Sequence, residues 1–152
     1  MASRNFIKRE VEPQNDAHVK VGVIVVRECE DFAEKNLQPF IQRLKELGSS
    51  TQQIYVREVT KLHDSIIMIQ YMAHYTDADS IIILAPEHLV LNTPALMDGI
   101  VQQQLQWNMY ITMGGAERAD DMQEMYATMR EMEATAPDYD VEQSDNFDIS
   151  FS

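Results

Sequence analysis

The chain has 152 residues, a net charge of −13 and a single cysteine, and its length suits one domain with a tail. One cysteine excludes an intrachain disulfide, and the negative charge argues against nucleic acid and anionic membranes, because both need a basic surface on the protein. With no apolar run of about 18 residues and no apolar signal core after Met1, we expect a soluble, cytoplasmic protein without a membrane partner.

The first predicted elements are an arm, a strand and a helix. Residues 1–17 are polar and mixed, and we expect an N-terminal arm there. The run from Val19 to Val26 is almost entirely β-branched, which is typical of a strand buried on both faces of a parallel sheet. Helical spacing then continues to Gly48, the expected stop, with Asp31 or Asn36 as the cap. Pro39 lies inside this pattern, so we expect a kink or a late helix start near Asn36.

The later elements repeat the alternation of strand and helix. We predict strands over 54–59, 80–85 and 109–113, and helices over 64–75, 93–107 and 117–134. Thr93 followed by Pro94 is a strong helix opening, with Thr as the N-cap. The order predicts an α/β fold, a three-layer αβα sandwich with a central parallel sheet of four or more strands. We assign it to residues 18–136 and expect an acidic disordered tail over 137–152.

In open parallel sheets the ligand crevice lies beyond the carboxyl ends of the strands. The candidate site residues are therefore Arg27, Glu28 and Cys29 after strand one, Lys61 and His63 after strand two, His88, Asn92 and Thr93 after strand three, and Arg118 after strand four. His63 and His88 are the acid–base candidates, or ordinary loop residues. Thr93 begins a helix with free backbone N–H groups that suit a phosphate or carboxylate. Cys29 is either a nucleophile or an inert thiol.

Motifs for metals and cofactors do not occur in the sequence. There is no C-x-x-C, no H-E-x-x-H and no G-x-G-x-x-G, and Gly114-Gly115 follows the last strand rather than the first. We therefore expect neither a metal nor a cofactor.

The last predicted helix carries a row of methionines with heptad-like spacing. They are Met122, Met125, Met129 and Met132. The row predicts either core packing against the sheet or a contact between subunits, because methionine adapts to both.

Four stretches in order resemble one enzyme family. The first strand ends in the Arg-containing turn of Val25 to Glu34, and Tyr75 to Leu84 has Asp-Ala before an apolar run. Thr-Pro follows within Leu91 to Ala95, and a matching helix and strand run through Gln104 to Met113. Over about residues 19–132 the chain resembles the lumazine synthases, transferases of riboflavin biosynthesis that form 6,7-dimethyl-8-ribityllumazine.

The resemblance implies a flavodoxin-like sandwich and a homo-oligomer, either a pentamer or a larger shell. It also implies that residues 5–11 of the arm add a strand to a neighbouring sheet. The family's site lies between subunits and binds an aromatic ligand and a phosphate-bearing one.

The sequence departs from the family at the positions that carry out catalysis and bind the substrates. Ala95 stands where the family has its catalytic histidine, and Glu28 or Cys29 stands where it has the stacking aromatic ring. Of the family's phosphate-binding motif only Thr93 remains. Arg118 is near, but does not match, the position of the family's basic residue on the last helix. His88 is the candidate replacement for the lost histidine.

Three functions follow as hypotheses. The first is a lumazine-synthase-like oligomer with lost or altered catalysis that acts as a structural or binding assembly. The second is an active lumazine synthase with a remodelled site, and the third is a monomeric flavodoxin-like domain that binds an anion. The acidic tail, which contains Phe147 and Phe151, resembles the tip of bacterial single-stranded DNA-binding proteins. It is expected either to bind a basic protein or only to aid solubility.

Overall fold

A computed structural model describes residues 18–135, and its centre is a four-stranded, all-parallel sheet. The strands are β1 (Val21–Val26), β2 (Ile54–Val59), β3 (Ser80–Leu84) and β4 (Tyr110–Gly114). They lie in the order β2-β1-β3-β4, with Val21 paired to Ile54 on one side and to Ser80 on the other. The helices are α1 (Glu30–Glu46), α2 (Ser65–Tyr75), α3 (Glu87–Leu91), α4 (Pro94–Trp107) and α5 (Arg118–Thr135).

The central strands are buried on both faces, because helices pack on each side of the sheet. Alternate residues of β1 and β3 point to opposite sides: Ile24 and Ile83 enter the core beneath α2 and α4, while Val23 and Ile82 enter the core beneath α1 and the start of α5. β3 is buried throughout, which explains its apolar run over residues 81–84. The predicted three-layer α/β sandwich is therefore confirmed.

The chain divides into two compact units. The first, residues 16–126, contains the sheet, α1 to α4 and the first half of α5. The described part of the second is residues 127–135, the remaining turns of α5. The predicted arm and tail lie outside the described residues. Among residues 18–135, no helix has the length and apolarity needed to cross a bilayer.

Two expectations about α1, its start and its N-cap, are wrong. It begins at Glu30, not near Asn36, and Cys29 occupies the N-cap position without a side-chain hydrogen bond. Neither Asp31 nor Asn36 caps it. The helix continues through Pro39 because Phe40 is fully buried on its inner face, and this burial outweighs the lost backbone hydrogen bond.

The predicted stop of α1 is confirmed. Gly48 has φ = +113°, a left-handed conformation in which a Cβ would fall on the His18 ring. The N–H groups of Gly48 and Ser49 donate to the carbonyls of Lys45 and Leu44, which is the Schellman arrangement.

Two smaller differences concern β1 and α3. β1 begins at Val21 rather than Val19, and the short helix α3 is an element that the sequence did not predict. The methionine row is not one buried stripe. Met122 is fully buried in the core, whereas Met125 is 37% exposed and Met132 is 64% exposed.

Candidate functional site

A cavity of about 430 Å³ opens where β1 and β3 end side by side. After β1 the chain moves to β2 on one side, and after β2 it crosses to β3 on the other, so this is the topological switch point of the sheet. Its lining consists of Arg27, Glu28, Cys29, Glu30, Asp31, Phe32, Pro86 and Leu89. We call this cavity the crevice.

The crevice is acidic. It has the carboxylates of Glu28, Glu30 and Asp31 against one guanidinium, that of Arg27. Burial raises the pKa of the Cys29 thiol, and the negative charge of Glu28 raises it further. The thiol therefore stays protonated near neutral pH and is a poor nucleophile.

Arg27 is held by a carboxylate of the neighbouring strand. Its Nη2 and Nε donate to Glu58 at 3.0 and 3.4 Å. The hydrogen bond and charge of Arg27 lower the pKa of Glu58, and those of Glu58 raise the pKa of Arg27. Both side chains are more than half exposed, so the pair is weak, but it neutralises the one cation of the crevice.

Glu28 connects the turns that follow β1 and β2. Its N–H donates to the Thr60 carbonyl at 3.1 Å, and its carboxylate accepts from the Leu62 N–H at 2.9 Å. The predicted site residues Lys61 and His63 lie in this second turn and do not line the crevice. Both are exposed, and His63 Nε2 is 3.6 Å from Asp64 Oδ1.

The residues predicted after β3 lie on α3 and at the start of α4. His88 is exposed on α3, beside the lining residue Leu89 rather than in the lining. Asn92 is exposed, and its N–H donates to the His88 carbonyl at 3.0 Å. Thr93 is the N-cap of α4, as predicted, but its hydroxyl donates to the Leu89 carbonyl at 2.9 Å instead of capping the helix.

Arg118 is a structural clamp at the start of α5. Its Nε donates to the Met113 carbonyl at 3.0 Å, Nη1 to Asp121 at 3.1 Å and Nη2 to Glu87 at 3.1 Å. The Asp121 hydrogen bond is the largest cause of its raised pKa. The guanidinium joins β4, α3 and α5, and each of its three nitrogens donates one hydrogen bond within the chain.

Of the predicted site residues, the structure brings Arg27, Glu28 and Cys29 together in the crevice, while the others lie outside its lining. Sequence reasoning missed Phe32, which supplies an aromatic ring, and Pro86, which follows β3. The signal for Phe32 was its place in the first turn of α1, directly after the residues that follow β1.

Within residues 18–135, no group of three or more His, Cys, Asp and Glu side chains is arranged to hold a metal ion. No protein-family description matches the sequence, and no curated protein matches it either.

Proposed function

We propose that this chain is a lumazine-synthase-like protein that assembles with copies of itself and has lost or altered the transferase reaction. It serves as a structural or binding assembly, a pentamer or larger, in the cytoplasm. The lone thiol of Cys29 is compatible with a reducing compartment.

The observation that carries the proposal is the outer face of α2 and α4. The 11 residues of α2 include no Asp, Glu, Lys or Arg, and the 14 residues of α4 include only Asp98. By contrast, α1 carries seven such residues in 17. Depletion of charge with exposed aromatic and aliphatic side chains is typical of a protein interface.

The exposed apolar side chains of this face are large. Tyr71 is 55% exposed, Ile67 52%, Val101 44% and Leu105 78%. The two helices are close neighbours, since a Cβ on Gly99 of α4 would lie 2.9 Å from the Ile66 side chain of α2. We call this surface the α2–α4 face.

Charge favours a second copy as the occupant of the α2–α4 face. Each copy carries a net charge of −13, so two copies repel each other over most of their surface. The α2–α4 face presents only Asp98 as a charge to a neighbouring copy, so apolar burial is gained there with little added repulsion.

The crevice supports the loss or change of the reaction. A sugar-phosphate substrate needs free cations, but Glu58 neutralises Arg27, and Glu87 and Asp121 hold Arg118. Ala95, exposed at the start of α4, supplies no proton. The Phe32 ring in the lining supports a retained aromatic ligand as the binding function.

Native mass spectrometry and sedimentation of the full chain test the assembly. We expect an oligomer for the unchanged protein and dissociation for Leu105→Glu and Tyr71→Glu, because each places a carboxylate at the contact. Gln42→Glu adds the same charge at an exposed position of α1, which packs on the opposite face of the sheet, and should leave the oligomer intact. A monomer at micromolar concentration would contradict the proposal.

Turnover of the two lumazine synthase substrates tests the reaction. We expect rates far below those of the family, and unchanged thermal stability in phosphate, because the crevice lacks a free cation. Family-like turnover that is lost in His88→Ala would instead support the active synthase.

A further inference from the structure

A second cavity adjoins the crevice and shares Arg27 and Glu30 with its lining. It has a volume of about 220 Å³ and is lined by Val25, Val26, Arg27, Glu30, Ala33, Glu34, Leu37, Gln38 and Glu58. These residues come from α1 and from the carboxyl ends of β1 and β2. We call this cavity the α1 groove.

The α1 groove has an apolar floor and a polar rim. Val25, Ala33 and Leu37 form the floor, and Ala33 is 6% exposed. Glu30, Glu34 and Gln38 recur every four residues on α1, so they follow one line along the helix. A ligand in the groove therefore meets hydrocarbon below and oxygen atoms along one edge.

The charge of the rim is negative and partly uncompensated. Arg27 pairs with Glu58 on the β2 side of the groove. Glu30 and Glu34 form no hydrogen bond or ion pair within residues 18–135, although Glu30 lies near enough to Arg27 to interact with its charge. The rim thus keeps a net negative charge beside the apolar floor, where a cation gains Coulomb energy and an anion loses it.

We infer that the α1 groove binds a small organic cation, a protonated amine on an apolar body the size of one aromatic ring. Drug-sized pockets begin at about 300 Å³, so a cavity of about 220 Å³ suits a single ring with a short chain. The ring covers Val25, Ala33 and Leu37, and the ammonium group lies between Glu30 and Glu34. This site does not depend on the proposed function.

The test is NMR titration of the isotope-labelled full chain with four matched probes. They are 2-phenylethylamine, its neutral analogue 2-phenylethanol, the anion 3-phenylpropionate, and propylamine, which has the charge without the ring. We expect 2-phenylethylamine to shift the signals of Val25, Ala33 and Leu37 saturably. The alcohol and propylamine should bind at least about threefold more weakly, and the anion should not bind.

Variants separate the groove from the general negative charge of the chain. The double variant Glu30→Gln, Glu34→Gln should weaken 2-phenylethylamine binding about threefold to tenfold, because it removes the two carboxylates that α1 contributes to the rim. Asp98→Asn on α4 changes an exposed carboxylate elsewhere and should leave binding unchanged. Ala33→Leu fills the floor and should abolish binding, with circular dichroism confirming that it folds.

Three results would overturn the inference. One is equal affinity for the amine and the alcohol, and another is equal affinity in the double variant and Asp98→Asn. The third is a change in the Val25 and Leu37 signals with protein concentration alone, which would mean that a second copy occupies the groove.

Discussion

At the scale of single residues, Arg27 and Arg118 are both paired with carboxylates of the same chain. Both follow sheet strands at the edge where a ligand crevice forms, and both donate to carboxylates of the same chain. Arg118 also satisfies the carbonyl of Met113, and only 27% of its side chain is exposed. At this scale both cations are paired with carboxylates of the same chain, and only Arg118 is placed to stabilise the fold appreciably.

Arg118→Gln should lower the free energy of unfolding by about 1–3 kcal/mol, because it leaves the Met113 carbonyl and two carboxylates without their donor. Urea denaturation measures the loss. Arg57→Gln is the matched control, since Arg57 is exposed and donates only to the adjacent Val56 carbonyl. Equal losses in the two variants would show that the clamp adds nothing to stability.

The pair of Arg27 and Glu58 should make stability depend on acid. The folded-state pKa of Glu58 lies below its usual 4.5, so its contribution is present above about pH 4.5 and is lost as the pH falls through the lowered value. Glu58→Gln should remove this part of the pH dependence, measured as urea midpoints from about pH 3 to pH 6. Its effect is small because the pair is exposed.

Glu34→Gln is the control for that measurement, because Glu34 has no ion-pair partner among the described residues. If the pH profile of Glu58→Gln equals that of the unchanged protein, the ion pair does not contribute in solution.

At the scale of elements, α1 is set by packing rather than by its local signals. Its N-terminus lacks a side-chain cap and Pro39 interrupts its hydrogen bonds, yet it extends over 17 residues. Phe40 and Leu44 are fully buried beneath it, and Ala33 is nearly so. Sequence signals placed its start too late, because burial of the first turns against the sheet is a tertiary effect.

Pro39→Ala should raise the free energy of unfolding by about 1–3 kcal/mol. An interior proline destabilises a helix by about 3 kcal/mol, so its removal stabilises the folded state by about that amount. Alanine also gives the unfolded chain more conformational entropy, which offsets about 1 kcal/mol of this stabilisation. Pro39 is exposed, so no packing is lost. Thermal and urea unfolding check the change, with Lys35→Ala on the same helix as a near-neutral control. A Pro39→Ala midpoint equal to that of Lys35→Ala would refute the expectation.

At the scale of the whole molecule, the two helical layers differ in charge. The α2–α4 face has one charged residue, whereas α1 carries seven and residues 118–126 of α5 carry four. The first layer therefore suits contact with protein and the second suits water. In the proposed assembly, the α2–α4 face therefore supplies the interface and the charged helices keep the oligomer soluble.

Added salt should strengthen the assembly. Salt screens the repulsion between copies of charge −13 and strengthens apolar burial, while it has few ion pairs to weaken at the α2–α4 face. Sedimentation at about 0.05 M and about 0.5 M sodium chloride measures the dissociation constant. Dissociation at the higher concentration would mean that ion pairs hold the copies together.

The sequence by itself determined the strands and the class of fold. The run from Ile81 to Leu84 is apolar at every position, and a strand covered on both faces accommodates it. Gly48 and Thr93-Pro94 marked helix ends because their backbone preferences are local.

Only the tertiary structure decided which strand ends meet. The order β2-β1-β3-β4 brings the residues after β1 against Pro86 and Leu89, and leaves His63 and His88 outside the crevice. Strand order and helix rotation depend on contacts between residues far apart in the chain, so local patterns do not encode them. For the same reason, the ion pairs that occupy Arg27 and Arg118 became visible only once the sheet and helices were assembled.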